Sequence, residues 1–219
     1  MNHATHTKIT WLVLLCLVVF SFTAFGQHVT QDEALRRELA ERTVEELIET
    51  IQAFPDHDSQ YFELTVFIIQ QIGEKGRGNA AAVAQLQNSL QVGMDRVARI
   101  NNRELDYWRI RAEAALALGK VGDRTATQAL VNAAHRDKDI MVRMCAIRGL
   151  AMLRDPAAVP RLLDMLENTT IDRVAYEIVY ALGEIGDRRA LPMLLAATQR
   201  NFSQAVHRRA REAMRKLQN

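Results

Sequence analysis

The sequence predicts an all-α protein, a superhelix of stacked helical hairpins behind an N-terminal export signal. Three observations predict it: a 32-residue self-match in the second half, apolar positions at helical spacing inside each match, and a charge-free run near the N-terminus. Adding 32 to Leu118 lands on Leu150, Leu182 and Met214, and the same step links Val121, Leu153, Ile185 and Leu217. It also links Asp123, Asp155 and Asp187, then Leu130, Leu162 and Leu194. A fixed period of this size marks repeated units that bury their apolar faces only against one another.

The elements follow in chain order. Residues Ile9 to Gly26 carry no charged side chain, Lys8 precedes them, and Ala24-Phe25-Gly26 supplies small residues for cleavage before Gln27. This predicts a signal peptide over 1–26 and export, to a bacterial periplasm. The alternative is an uncleaved membrane anchor over 9–26, close to the shortest run that spans a bilayer. Thr30 to Ala53 is then one charged amphipathic stretch, with Leu35, Leu39, Val44, Leu47 and Ile51 on its apolar side. Thr30 and Glu33 fit a capping box, and Pro55 with Asp56-His57-Asp58 ends the segment, so 27–58 is expected to be a capping helix. The alternative is a helix that docks on a partner. Residues 59–102 read as a divergent hairpin whose second helix is longer than those downstream, with "GEKGRGN" as its turn.

From 103 to 219 the units are regular. Ala114, Leu118 and Val121 share one helical stripe, and Ala126, Leu130 and Ala134 share another, so each unit is a two-helix hairpin. Gly122 and Gly186 suit the left-handed residue that ends a helix, and the aspartates after them suit caps of the next helix. Arg154 stands where those glycines stand, and a left-handed arginine costs about 1–2 kcal/mol, so a different turn is expected there. Gln204 to Leu217 reads as a half-repeat that closes the stack with a polar face.

Arg111 and Arg143 at the starts of first helices, the alanine-rich stripes, and "LGKVGD" and "LGEIGD" resemble HEAT-like repeats of the bacterial phycobilisome-lyase type. The likeness covers Arg103 to Asn219 and implies an armadillo-like superhelix whose second helices line a concave, protein-binding side. The polar positions on those helices are Gln128, Asn132 and Arg136, then Arg161 and Asp164, then Arg189 and Arg200. They are the expected partner-binding residues; the plain alternative is a solvated face without a ligand.

The search for chemistry finds no catalytic, metal or cofactor residues. The histidines are scattered, none at the i, i+4 spacing that aims two rings at one ion. Iron-binding HEAT-type hydroxylases use His-Glu pairs, which this chain lacks. "GEKGRGN" is followed by no Lys-Ser or Lys-Thr, so it is no phosphate loop. The expectation is therefore a non-catalytic protein-interaction or scaffolding module, with a lyase-type enzyme set aside.

Without residues 1–26, which contain Lys8 and no acid, 27 of the 28 basic residues remain against 26 acids, which excludes nucleic acid as an expected partner. The charge is nevertheless split. Glu33, Glu38, Glu41, Glu45, Glu46 and Glu49 lie early, whereas Arg208, Arg209, Arg211, Arg215 and Lys216 lie late. The split suggests protein partners, head-to-tail self-association, or contact of the basic end with an anionic envelope surface. Cys145 would be the one cysteine after cleavage, so no internal disulfide is expected. A buried small hydrophobe is its plain reading, but its repeat equivalents Glu113, Glu177 and Arg209 place it on a solvent-leaning face.

Overall fold

The computed structural model describes residues 25–54, 61–93, 98–100, 103–105 and 107–218. The signal peptide or anchor expected within 1–26 lies outside these residues, save Phe25 and Gly26, which open the first helix; the Pro55 boundary with Asp56-His57-Asp58 lies outside them too. The chain divides into two units, one ending at Glu41 and the other running from Arg42 to Asn219.

The described residues of the first unit form one helix, α1 (Phe25–Glu41). It runs through Thr30, so the helix start expected at Thr30 and Glu33 is not there. The charged stretch breaks instead at Arg42, and α2 (Val44–Ala53) begins with a reciprocal capping box. Glu46 N–H donates to Thr43 Oγ1 at 3.3 Å, and Thr43 N–H donates to Glu46 Oε2 at 2.9 Å. A second Thr-x-x-Glu thus ends the first helix and starts the next.

In the second unit, α3 (Phe62–Lys75) and α4 (Ala80–Ser89) form the divergent hairpin, and Asn79 caps α4 through Ala82 N–H. The longer second helix expected here is not found: α4 has 10 residues, as do the next two second helices. The extra chain goes instead into a turn and two short antiparallel strands, β1 (Ala98–Ile100) and β2 (Arg103–Leu105), with Ala98 opposite Leu105.

The regular hairpins are α5 (Trp108–Val121) with α6 (Thr127–Arg136), α7 (Ile140–Leu153) with α8 (Val159–Asn168), and α9 (Asp172–Ile185) with α10 (Leu191–Ala197). The last described helix is α11 (Gln204–Gln218). The first helices α3, α5, α7, α9 and α11 pack in one continuous row, while α6 and α8 touch only sparsely. The row is close because glycine stands at its crossings: a Cβ on Gly119 would sit 2.7 Å from Gly149 Cα, and one on Gly149 would sit 2.6 Å from the Ala115 carbonyl oxygen. The repeat ladder is the core, with Leu118, Leu150, Leu182, Leu130, Leu162 and Leu194 all fully buried.

The three regular hairpins turn in the same way. Gly122 and Gly186 are left-handed at φ 79° and 81°, and Arg154 is left-handed too, at φ 49°. The different turn expected at Arg154 is therefore corrected. Its φ is one that L-residues adopt at a cost, and its guanidinium reaches Glu184 at 2.9 Å, which offsets part of that cost. Asp123, Asp155 and Asp187 then accept from the N–H two residues on, at 2.9, 3.1 and 2.8 Å, and a 3-10 turn leads into each second helix.

The arginine that starts α5 has a structural task. Arg111 is fully buried and donates from Nε and Nη2 to the buried Asp137 at 2.8 and 3.1 Å, and from Nη1 to the Val92 carbonyl at 3.0 Å. One repeat on, Arg143 has Thr169 where Arg111 has Asp137. Its Nε is buried without a hydrogen-bond partner.

Candidate functional site

The second helices leave an open groove of about 650 Å³ between α6 and α8. It forms because the glycine crossings draw the first helices together while the polar outer stripes of α6 and α8 have nothing apolar to bury against each other. Gln128, Asn132 and Arg136 line one wall; Arg161 and Asp164 line the other.

Within the groove the polar groups are organised. Gln128 Nε2 donates to Asn132 Oδ1 at 3.0 Å, one turn away on α6. Arg161 pairs with Asp164 at 2.8 Å on α8. At the groove end, Thr127 Oγ1 donates to Asp155 Oδ2 at 2.6 Å, and this hydroxyl is the main reason that the Asp155 carboxyl stays below the usual aspartate range. Arg124, Arg136 and Arg161 outnumber Asp155 and Asp164 along the walls, which makes the groove mildly positive, and Arg136 and the neighbouring His135 are exposed.

Of the seven sequence-predicted residues, the groove brings together five. Arg189 stands apart, held by Asp187 through Nε at 2.9 Å and donating to the Pro156 carbonyl at 3.2 Å. The bond to Arg189 is also what holds the Asp187 carboxyl low. Arg200 is half-buried and caps the end of α8, donating to the Leu166 and Thr169 carbonyls at 2.6 and 3.2 Å with its guanidinium 4.7 Å over the Phe202 ring. It serves the fold rather than the groove. The sequence reading missed His135, Thr127 and Asp155 as wall residues. His135 was within reach, because it lies seven residues after Gln128 on the same stripe of α6.

Comparison with known proteins adds what the groove alone does not say. A family model described as HEAT repeats matches residues 100–177 and 130–215. A phycocyanobilin lyase subunit alpha from Nostoc sp. (strain PCC 7120) is 34% identical over 126 residues, which is 52% of this chain and 43% of that protein. The chain thus spans less than half of the length of this relative. Among solved structures, the complex of CpcE and CpcF of phycocyanin lyase from Nostoc sp. PCC7120 overlays with a TM-score of 0.60 at 26% identity, covering 81% of this chain and 65% of that one. A designed armadillo repeat protein in complex with a (KR)4 peptide overlays with a TM-score of 0.55 at 16% identity, over 89% of this chain and 95% of that one; it shows the fold alone.

The lyase likeness corrects one expectation. The chain was expected to have no enzymatic role, yet the relatives it matches are lyase subunits. The reason is physical: a search for converging ionisable groups within one chain is the wrong test where the lyase structure is a complex of two chains.

Proposed function

The chain belongs to the HEAT-repeat family, and from that premise we propose that it is a protein-binding subunit of a bilin-lyase-type enzyme, receiving its protein partner along the groove between α6 and α8. The observation that carries this reading is the 34% identity to a phycocyanobilin lyase subunit. The groove supports it by chemistry. A long, open, mildly basic wall suits an extended protein surface bearing carboxylates better than a small enclosed substrate. The row of first helices holds the walls at a fixed spacing, so recognition needs little reordering of the chain and loses little entropy on binding.

In this reading the chain positions a partner for bilin attachment together with a second solenoid subunit. Arg136 and Arg161 supply the charge, while Gln128 and Asn132 supply adaptable hydrogen bonds. The test is co-expression of the full chain with a second phycocyanin-lyase subunit, a phycocyanin apoprotein and phycocyanobilin, followed by denaturing electrophoresis to read covalently held bilin. Coloured phycocyanin is expected, with yield lowered about tenfold or more when Arg136→Glu and Arg161→Glu are combined, as reversal of interface charges commonly does. A colourless apoprotein in every subunit pairing would sink the reading.

A further inference from the structure

The outer face of α7 carries a sulfur cluster that neither the core nor the groove uses. Met141, Met144 and Cys145 occupy positions i, i+3 and i+4 of one helix, and all three reach the surface, Met141 exposed and the other two half-exposed. Residues three and four apart on a helix have Cβ atoms roughly 5–6 Å from each other, and each Cα–Cβ bond leans toward the N-terminus, so Cys145 leans toward Met141 one turn back. The apolar work of α7 is done elsewhere, by Val142, Ala146, Ile147 and Leu150, all fully buried.

The repeat supplies an internal control. One unit back, the same three positions are Arg109, Ala112 and Glu113; one unit on, they are Arg173, Tyr176 and Glu177. Stacking therefore asks for no sulfur at any of them, yet α7 has sulfur at all three. We propose that Met141, Met144 and Cys145 form a binding site for one soft monovalent cation of the copper(I) class. Two thioethers and a thiolate are the donor set that selects such an ion over zinc, magnesium or calcium. On binding, the Cys145 thiol gives its proton to solvent and a metal–sulfur bond forms, with no change of oxidation state.

The surroundings favour a cation. Arg148, three residues after Cys145, is the single charge that acts on the thiol most, and its guanidinium is at the same time turned to Glu177 of α9, donating from Nε at 2.8 Å and from Nη2 at 2.6 Å. Glu113 of α5 and Asp139 at the start of α7 add negative potential at Cys145.

The test is an anaerobic titration of the full chain with copper(I) held by bicinchoninate, read from loss of the chelator's colour. One ion per chain is expected. Cys145→Ser should abolish transfer, and Met141→Leu and Met144→Leu should each weaken it about tenfold or more, on the scale by which metal sites respond to loss of a supporting group. Met152→Leu, almost two turns beyond Cys145 on α7, is the control and should change nothing. Leucine nearly conserves methionine's volume, and unchanged melting of each variant verifies the fold. Undiminished affinity in the combined Met141→Leu and Met144→Leu variant would overturn the proposal, because the thiol alone would then account for binding. One ion per two chains would overturn it equally.

Discussion

Arg111 and Arg143 are the same residue of the repeat in two electrostatic settings. Arg111 is closed off with Asp137, both essentially without solvent contact, and a buried pair broken on one side leaves an uncompensated charge at a cost of about 3–5 kcal/mol. Asp137→Ala is therefore expected to lower stability by that amount in urea unfolding. Thr169 has nearly the backbone of Asp137, with ψ 141° against 136°, and its hydroxyl accepts from Ile171 N–H much as Asp137 accepts from Asp139 N–H. Thr169→Asp should give the idle Arg143 Nε a partner and raise stability by about 1 kcal/mol in the same assay. No gain would mean that Arg143 cannot reach the carboxylate. Cys145 shows a different effect of burial: desolvation pushes its thiol up to about 11 from 9.0. The neutral form is favoured in the folded chain, so the stability this gives is complete below pH 9 and is lost as pH rises from 9 toward 11. Iodoacetamide alkylation should accordingly reach half its limiting rate near pH 11 in the native chain and near pH 9 in urea.

The hairpin turn is the element on which sequence reasoning was most exposed. The 32-residue step made the ladder of leucines and the capping aspartates legible, because both depend on local spacing and on side chains suited to one position. Arg154 was read as a different turn because propensity was weighed alone. The structure keeps the left-handed turn because the helices on either side over-determine it, and because Glu184 answers the guanidinium. Glu184 is itself held below the usual glutamate range, chiefly by Lys216 and then by Arg154. Arg154→Gly removes the strain and an exposed ion pair of small worth, so a net gain of about 0.5–1 kcal/mol is expected in urea unfolding. A net loss would show that the ion pair outweighs the strain. Two other elements escaped the reading for related reasons. The break at Arg42 was hidden because apolar residues stand at helical spacing on each side of it, Leu35 with Leu39 and Leu47 with Ile51, and β1 with β2 sit where the step of 32 is interrupted. Periodicity says nothing about such places. The groove was legible as a row of polar positions on second helices, but Arg200 was not separable from it, since an arginine that caps a helix end and one that meets a partner look alike in sequence.

The stack as a whole is a row of first helices that leaves its second helices free to meet something else. Gly119 and Gly183 face the next helix in the row, against Gly149 and Ala213. In α11 the register position after Gly183 is Arg215, and the position of Ala115 and Val179 is Arg211, both exposed. Charge at these two places disfavours a further helix packed in the same close manner against α11. We propose the side between α6 and α8 as the one that recognition uses. Hydrogen exchange read by mass spectrometry, on the full chain alone and with a second lyase subunit and bilin-bearing phycocyanin, tests it most directly. Slowed exchange is expected over Thr127–Arg136 and Val159–Asn168 in the assembled sample, with the buried row α5, α7 and α9 unchanged. Bilin transfer that proceeds while both groove helices exchange as they do in the free chain would contradict it.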